Sequence, residues 1–262
     1  MRLADATWTD VRDADIDVAF LPVGSTEGHG PHAPLGTDTL NAVAVAEAAA
    51  TAYDTGSGVE ESDSKHERGE ALVGPPIPVG VAEEHRRFDG TMWVRPDTFR
   101  AYVRDAADSL PTHGIDRVVF VNGHGGNVDA LGEVARRFSR DPEHAGYAVA
   151  FTWFEAVGEH ASDMGHAGPL ETALLRATNP DLVHDDRVEA ARDGGADRWG
   201  EWVSGVNLAH DSHEFTANGV VGDPTAGDAD CGRELLGRAS NALVTLADAV
   251  VSRAVGDEAG GD

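Results

Sequence analysis

Twice in this chain a short, continuously apolar run ends in a glycine-rich turn. Residues 17–23 (Asp-Val-Ala-Phe-Leu-Pro-Val) stop at Gly24, and residues 117–121 (Arg-Val-Val-Phe-Val) stop at Asn122-Gly123. Runs this short and this rich in β-branched residues read as strands, and strands without polar alternation are buried on both faces. Each is followed, beyond its turn, by a helical pattern: an Ala-rich stretch at 39–53, which Thr37 or Asp38 is expected to cap, and a segment at 128–139. Further strands are expected at 71–79, broken by prolines, and at 147–153. Further helices are expected at 97–110, at 169–178 behind Pro169, and at 227–254, where Leu235, Leu236, Ala239, Leu243, Leu246 and Val250 recur at three- and four-residue spacing. Strands alternating with helices predict an α/β fold with a mainly parallel sheet covered on both faces. Ligands bind such sheets in the crevice beyond the carboxyl ends of the strands, which is where the two glycine turns lie.

The 262 residues suit a single α/β domain over 1–262, with an acidic loop excursion at about 54–70. The formal net charge is -26, from 46 Asp+Glu against 20 Lys+Arg, and Lys65 is the lone lysine. Acids spread along the whole chain predict a self-repelling surface of the kind halophile proteins carry. The same charge argues against nucleic acid and against anionic membrane surfaces, where cations must meet phosphates. The single cysteine, Cys231, has no internal disulfide partner and reads as a small core residue. Polar residues close behind Met1 argue against a signal peptide, and no apolar run approaches the ~20 residues of a membrane span, so a cytoplasmic protein is expected.

The first turn, Gly24-Ser25-Thr26-Glu27-Gly28-His29-Gly30-Pro31-His32-Ala33-Pro34-Leu35-Gly36-Thr37-Asp38, places two carboxylates and two imidazoles within twelve residues. Glu27 and His29 are two apart, so an extended backbone points both side chains the same way, and the glycines and prolines let the loop fold Asp38 back toward them. Nitrogen and oxygen donors without thiolate suit Zn, Mn or Fe. A single histidine here would read as a solvated or capping residue, but the combined Glu-x-His-x-x-His-x5-Asp pattern reads as metal-ligating. The second turn, Asn122-Gly123-His124-Gly125-Gly126-Asn127, lacks both the spacing and the Lys-Ser/Thr of a phosphate-binding loop. Its histidine at a strand end fits a metal ligand better. In Gly165-His166-Ala167-Gly168-Pro169-Leu170-Glu171-Thr172, Glu171 reads either as a carboxylate favoured by the helix dipole or as a ligand or base, with His166 as acid/base. The residues alone leave both open.

Glu84-His85 reads as a supporting or substrate-contacting pair. His210 and His213, in a polar loop with Asp211 and Glu214, read as solvated, with an accessory cation site as the alternative. No Gly-x-Ser-x-Gly nucleophile elbow is present.

These motifs resemble the creatininase family of metal-dependent amidohydrolases. The likeness runs from about Leu21 to Gly232 and includes residues 78–91 and Gly219-Val220-Val221-Gly222-Asp223-Pro224. It implies a three-layer α/β/α subunit with two adjacent divalent metals, held by Glu27, His29, Asp38 and His124, with Asp38 bridging. Creatininases proper carry a glutamate two residues after the second-turn histidine, where this chain has Gly126; Glu171 is then the natural replacement ligand. They also carry a glutamate before the catalytic histidine of the third segment, where this chain has Gly165, which weakens the case for creatinine itself. The resemblance implies a closed homo-oligomer, often a hexamer in the family. Its branches include formamidopyrimidine-nucleotide deformylases of flavin and deazaflavin synthesis, and an enzyme that trims a peptide in mycofactocin maturation.

The expected activity is hydrolysis of a non-peptide C–N bond in a small-molecule amide through a metal-activated bridging water. The deformylase and creatinine reactions are the named alternatives. His166 would deliver a proton to the leaving nitrogen, amides of Gly125 and Gly126 would hold the oxyanion, and His32, Glu84, His85 and Asn127 would contact substrate or support the ligands. A non-catalytic metal-binding protein and a phosphate-binding α/β protein are the readings from other classes.

Overall fold

The computed structural model describes residues 1–56 and 68–253. Most of the expected acidic excursion, residues 57–67, lies outside the described residues, as does the tail from 254. Among the described residues, four parallel strands form the main sheet: β1 (Ile16–Val23), β2 (Glu70–Val73), β3 (Arg117–Asn122) and β4 (Tyr147–Thr152), in the order β2-β1-β3-β4. Helices α1 (Trp8–Asp13), α2 (Thr37–Thr55), α3 (Pro96–Asp108), α4 (Val128–Phe138), α5 (Pro169–Thr178), α6 (Val188–Asp193) and α7 (Ala229–Val251) surround it. A two-residue hairpin pair, β5 (Trp202–Val203) and β6 (Val206–Asn207), stands apart from the sheet.

The alternation of side chains along each strand creates the three layers. Val18 and Phe20 of β1, with Val119 and Val121 of β3, pack against α2, α5 and α7. Ala19, Leu21 and Val23, with Val118 and Phe120, pack on the opposite face against α3 and α4. Both faces are therefore dry, as the unbroken apolar runs require. The strand order reverses at β1, whose neighbours are β2 on one side and β3 on the other. The register pairs Val23 with Asn122, so the two glycine turns leave the sheet side by side at the switch point.

Four local expectations change. The 71–79 strand ends at Val73, because Pro75 and Pro76 interrupt the ladder; Ile77 alone rejoins it beside Val23. Neither Thr37 nor Asp38 caps α2: Gly36 holds the cap position, Thr37 donates its hydroxyl to the Pro34 carbonyl, and Asp38 turns into the protein at 1% exposure. Cys231 is only partly a core residue: half-buried in the first turn of α7, it packs against the core cluster and also lines a cavity. The expected 227–254 helix begins two residues later than expected, with Asp228 accepting the Cys231 amide as its cap.

Candidate metal centre

The turn after β1 delivers Glu27, His29 and Asp38, and the turn after β3 delivers His124. Glu171 and His166 come from the start of α5, and His85 from a single helical turn at Glu83–His85. All seven side chains are buried. Asp38 sits centrally: its Oδ1 lies 3.1 Å from His29 Nε2 and its Oδ2 lies 3.3 Å from His124 Nδ1. Glu171 Oε2 is 3.6 Å from His29 Nε2 on one side. Glu27 Oε1 is 3.2 Å from His124 Nδ1 on the other, with His85 Nε2 at 3.5 Å and His166 Nδ1 at 3.7 Å.

These close approaches are not hydrogen bonds. Both carboxylate oxygens of Glu27, Oδ2 of Asp38 and Nε2 of His29 are buried without an aligned partner. Unpaired buried carboxylates are costly, and native proteins neutralise such groups with protons or cations. Two donors bound to one Zn²⁺ at ~2.1 Å in a tetrahedron lie roughly 3.4 Å apart. The His29–Asp38, His124–Asp38 and His124–Glu27 pairs, at 3.1, 3.3 and 3.2 Å, match that spacing. Glu27, His29 and Asp38, then His29, His166 and Glu171, then Glu27, His85 and His166, each bring their ligand atoms within 4.8 Å. The donor set therefore fits divalent cations.

The backs of the rings say which nitrogen faces inward. His124 Nε2 lies 2.8 Å from the Val81 carbonyl, His166 Nε2 lies 2.9 Å from the Gly28 carbonyl, and His29 Nδ1 lies 3.2 Å from the Glu27 carbonyl. A carbonyl only accepts, so each of these nitrogens carries hydrogen and the other is the one turned toward the carboxylates, free to give its lone pair to a cation that displaces any proton there, the arrangement typical of metal-ligating histidines. Burial would lower His29 and His124, but Asp38 with Glu171, and Glu27 with Asp38, outweigh it and hold both pKa values well above the ordinary range. Burial would likewise raise Glu27; His124 and His85 hold it well below the usual carboxylate value. Such mutual pulls are what a cation competes for. His166 is lowered, by burial and then by His29.

Neighbouring chain holds these groups in place. Asn122 accepts the His124 amide and donates to the His124 carbonyl. Asn127 donates to the Gly24 carbonyl and accepts the Val81 amide, tying three loops together. The Ala167 amide donates to Glu171 Oε2 at 2.6 Å, and Ala167 adopts φ +49° to aim it there. His166 exchanges both backbone hydrogen bonds with Val221. His32 lies behind the cluster, its Nε2 2.9 Å from the Thr172 hydroxyl, and does not line the cavity.

A cavity of about 1050 Å³ opens onto the cluster, lined among others by Glu84, His85, His124, Gly125, Gly126, His166 and Glu171. Trp199, 5.6 Å from the His85 ring, forms one wall. Nothing local in the sequence marks Trp199 or Ser212, the hydroxyl behind His85, because each acquires its role across the fold. His210 and His213 are exposed and stay outside the site. Gly126 and Gly165 are closed to side chains: a Cβ at Gly126 would overlap the Val81 carbonyl oxygen, and one at Gly165, held at φ +58°, would overlap the Val221 carbonyl.

Compared with known proteins, residues 4–247 match the creatininase family model, described as creatinine amidohydrolase. A mycofactocin precursor peptide peptidase of Mycobacterium ulcerans is 35% identical over 82% of this chain and 78% of its own. The creatinine amidohydrolase of Pseudomonas putida is 30% identical over 65% of this chain and 68% of its own. Among solved structures, a candidate creatinine amidohydrolase of Bacteroides fragilis superposes with a TM-score of 0.80 at 24% identity, covering 98% of both chains. A manganese form of creatininase superposes at 0.70 with 23% identity, covering 95% of this chain and 96% of that one.

Proposed function

This chain belongs to the creatininase family, and we propose that it is a metal-dependent amide hydrolase in which Glu27, His29, Asp38, His124 and Glu171 hold two divalent ions. One observation carries the reading: three buried carboxylates and inward-facing imidazole nitrogens converge, and both oxygens of Glu27, Oδ2 of Asp38 and Nε2 of His29 are left without a hydrogen-bond partner. Asp38 reaches both sides of the cluster, which suits a bridging ligand, and three carboxylates take two divalent ions to neutralise. The manganese and zinc forms described for creatininases are in keeping with this donor set.

Divalent ions held there would supply a water acidified to near neutral and a polarised amide carbonyl. The chain supplies the rest. His166, neutral and anchored through Nε2, turns its Nδ1 lone pair inward, where it takes a proton from the attacking water and returns it to the leaving nitrogen. Gly125 and Gly126 bring backbone amides to the cavity wall within reach of a developing oxyanion. Glu84 lies 3.9 Å from His124 Nε2 and steadies that ring from the cavity side.

The substrate is an amide, and two classes compete. Small non-peptide amides, including formylaminopyrimidine nucleotides and creatinine, follow from the family's chemistry. A peptide amide is favoured by a cavity of about 1050 Å³, far larger than a creatinine ring fills, and by relatives described as peptide peptidases. The closed positions Gly126 and Gly165 weigh against creatinine, since the glutamates of creatininases proper have no room here.

The test is elemental analysis with a substrate panel. About two divalent ions per chain after reconstitution, with hydrolysis of at least one amide among creatinine, a formylaminopyrimidine nucleotide and short peptides, are expected. Less than one tightly held ion per chain would remove the dinuclear reading.

A further inference from the structure

Four imidazoles surround the carboxylate cluster, and three have their tautomer fixed by a backbone carbonyl behind the ring. The fourth, His85, is backed by a hydroxyl: its Nδ1 lies 3.1 Å from Ser212 Oγ. A hydroxyl both donates and accepts, so that contact alone fixes nothing. The second contact of Ser212 decides it. Its Oγ lies 2.9 Å from the Glu84 carbonyl, which only accepts, so the single hydroxyl hydrogen goes there. Ser212 then has only lone pairs for His85, and Nδ1 must carry the hydrogen. The opposite tautomer would forfeit the bond to Glu84 and leave that carbonyl without the hydroxyl, while its Nε2–H would gain only Glu27 Oε1 at 3.5 Å. Ser212 is fully buried and His85 nearly so, so no solvent competes for either group.

We propose that Ser212 is a positioning residue that locks His85 as its Nδ1–H tautomer, making His85 Nε2 a further donor to the divalent cation beside Glu27. The spacing agrees, because 3.5 Å from Nε2 to Glu27 Oε1 is close to the separation of two donors on one ion. His85 also stacks on His166, with ring centroids 4.2 Å apart and planes inclined by 27°, which keeps its nitrogen aimed at the cluster. Ser212 and exposed His213 lie in the tight turn closed by the Asp211–Glu214 capping pair, which directs the serine inward while His210 and His213 are exposed to solvent. The inference rests on the metal-hydrolase reading only for the identity of the cation.

The test is a long-range proton–nitrogen NMR experiment on ring-labelled, chelator-treated protein, with His85 assigned by the peaks missing in His85→Gln. Wild-type protein is expected to show a pyrrole-type Nδ1 and a pyridine-type Nε2 at His85. Ser212→Ala is expected to give an averaged or reversed pattern, and Ser212→Thr to keep the wild-type one. On zinc titration, the wild-type Nε2 resonance shifts on binding, and Ser212→Ala binds zinc about 10-fold more weakly. An Nε2–H tautomer in the wild type, or an unchanged pattern in Ser212→Ala, would overturn the positioning role. A His85 Nε2 unmoved by bound zinc would overturn its role as a donor. If the alanine variant does not fold, the wild-type and threonine spectra still decide. A wild type that binds no zinc yet shows the Nδ1–H tautomer would defeat the metal reading and leave the role of Ser212 standing.

Discussion

Asn127→Ala should be the most damaging single change outside the charged cluster. The side chain is fully buried and joins three loops: its amide donates to the Gly24 carbonyl at 3.0 Å and its oxygen accepts the Val81 amide, also at 3.0 Å. Alanine leaves both backbone groups without partners. A buried orphan of this kind costs about 1–3 kcal/mol, so the two together cost about 2–6 kcal/mol. With a urea m-value of roughly 2–3 kcal/mol/M for a chain this size, the midpoint falls by about 0.7–3 M. The isosteric Asn127→Asp separates hydrogen bonding from packing. It keeps the volume and the acceptor for Val81, but it turns a carboxylate oxygen toward the Gly24 carbonyl and the Asn122 Oδ1, which the native amide faces at 3.5 Å. At pH 8 it should therefore destabilise at least as much as alanine. Equilibrium urea unfolding of the chelator-treated protein, followed by far-UV circular dichroism, measures both. An Asn127→Asp variant within about 0.5 kcal/mol of wild type would refute the reasoning, since packing alone would then account for Asn127. Because the Val81 carbonyl anchors the His124 ring at 2.8 Å, both variants should also weaken zinc binding, readable by competition with a chromophoric chelator.

Other outcomes follow from the same geometry. Glu171→Gln removes a charge from the His29 side of the cluster and should lower occupancy of one ion per chain; full occupancy with wild-type turnover would reduce Glu171 to a helix-start residue. His166→Ala should retain bound metal while losing about 10²–10⁴-fold in kcat, and unchanged turnover would exclude a proton-transfer role. Burial, then the charges of His29 and Arg176, push His32 down to about 4, against an unfolded value near 6.5. The unfolded chain thus binds the extra proton, so stability falls as pH drops from about 6.5 to about 4, by up to roughly 3 kcal/mol. The difference in unfolding free energy between wild type and His32→Gln, followed from pH 7 to pH 4.5, should carry that slope; a flat difference would count against it. Given the net charge of -26, folding should require molar salt, and full thermal stability in dilute buffer would refute that expectation.

The sequence by itself determined the layers and the place of the site. Unbroken apolar runs at 17–23 and 117–121 leave a strand no option but burial on both faces, and that requires helices on both sides. The glycine turns that end those runs carry Glu27, His29, Asp38 and His124, so four donors were legible as a group before any distance was known. Tertiary structure decided what depends on side chains meeting from distant parts of the chain. Glu171 was open between a helix-dipole carboxylate and a ligand, and only the packing of α5 against α7 and α2 brings its Oε2 to 3.6 Å from His29. Gly126 and Gly165 read simply as departures from a pattern; the Val81 and Val221 carbonyls crossing over them explain why no side chain fits. Ser212 gives no local signal, because its proposed role rests on one acceptor, the Glu84 carbonyl, and one donor, the His85 ring, that the fold alone brings within reach of one hydroxyl. Hydrophobic periodicity and glycine act over a few residues, so they are written locally. Hydrogen-bond partnership is fixed by three-dimensional proximity, and a single sequence does not encode it in readable form.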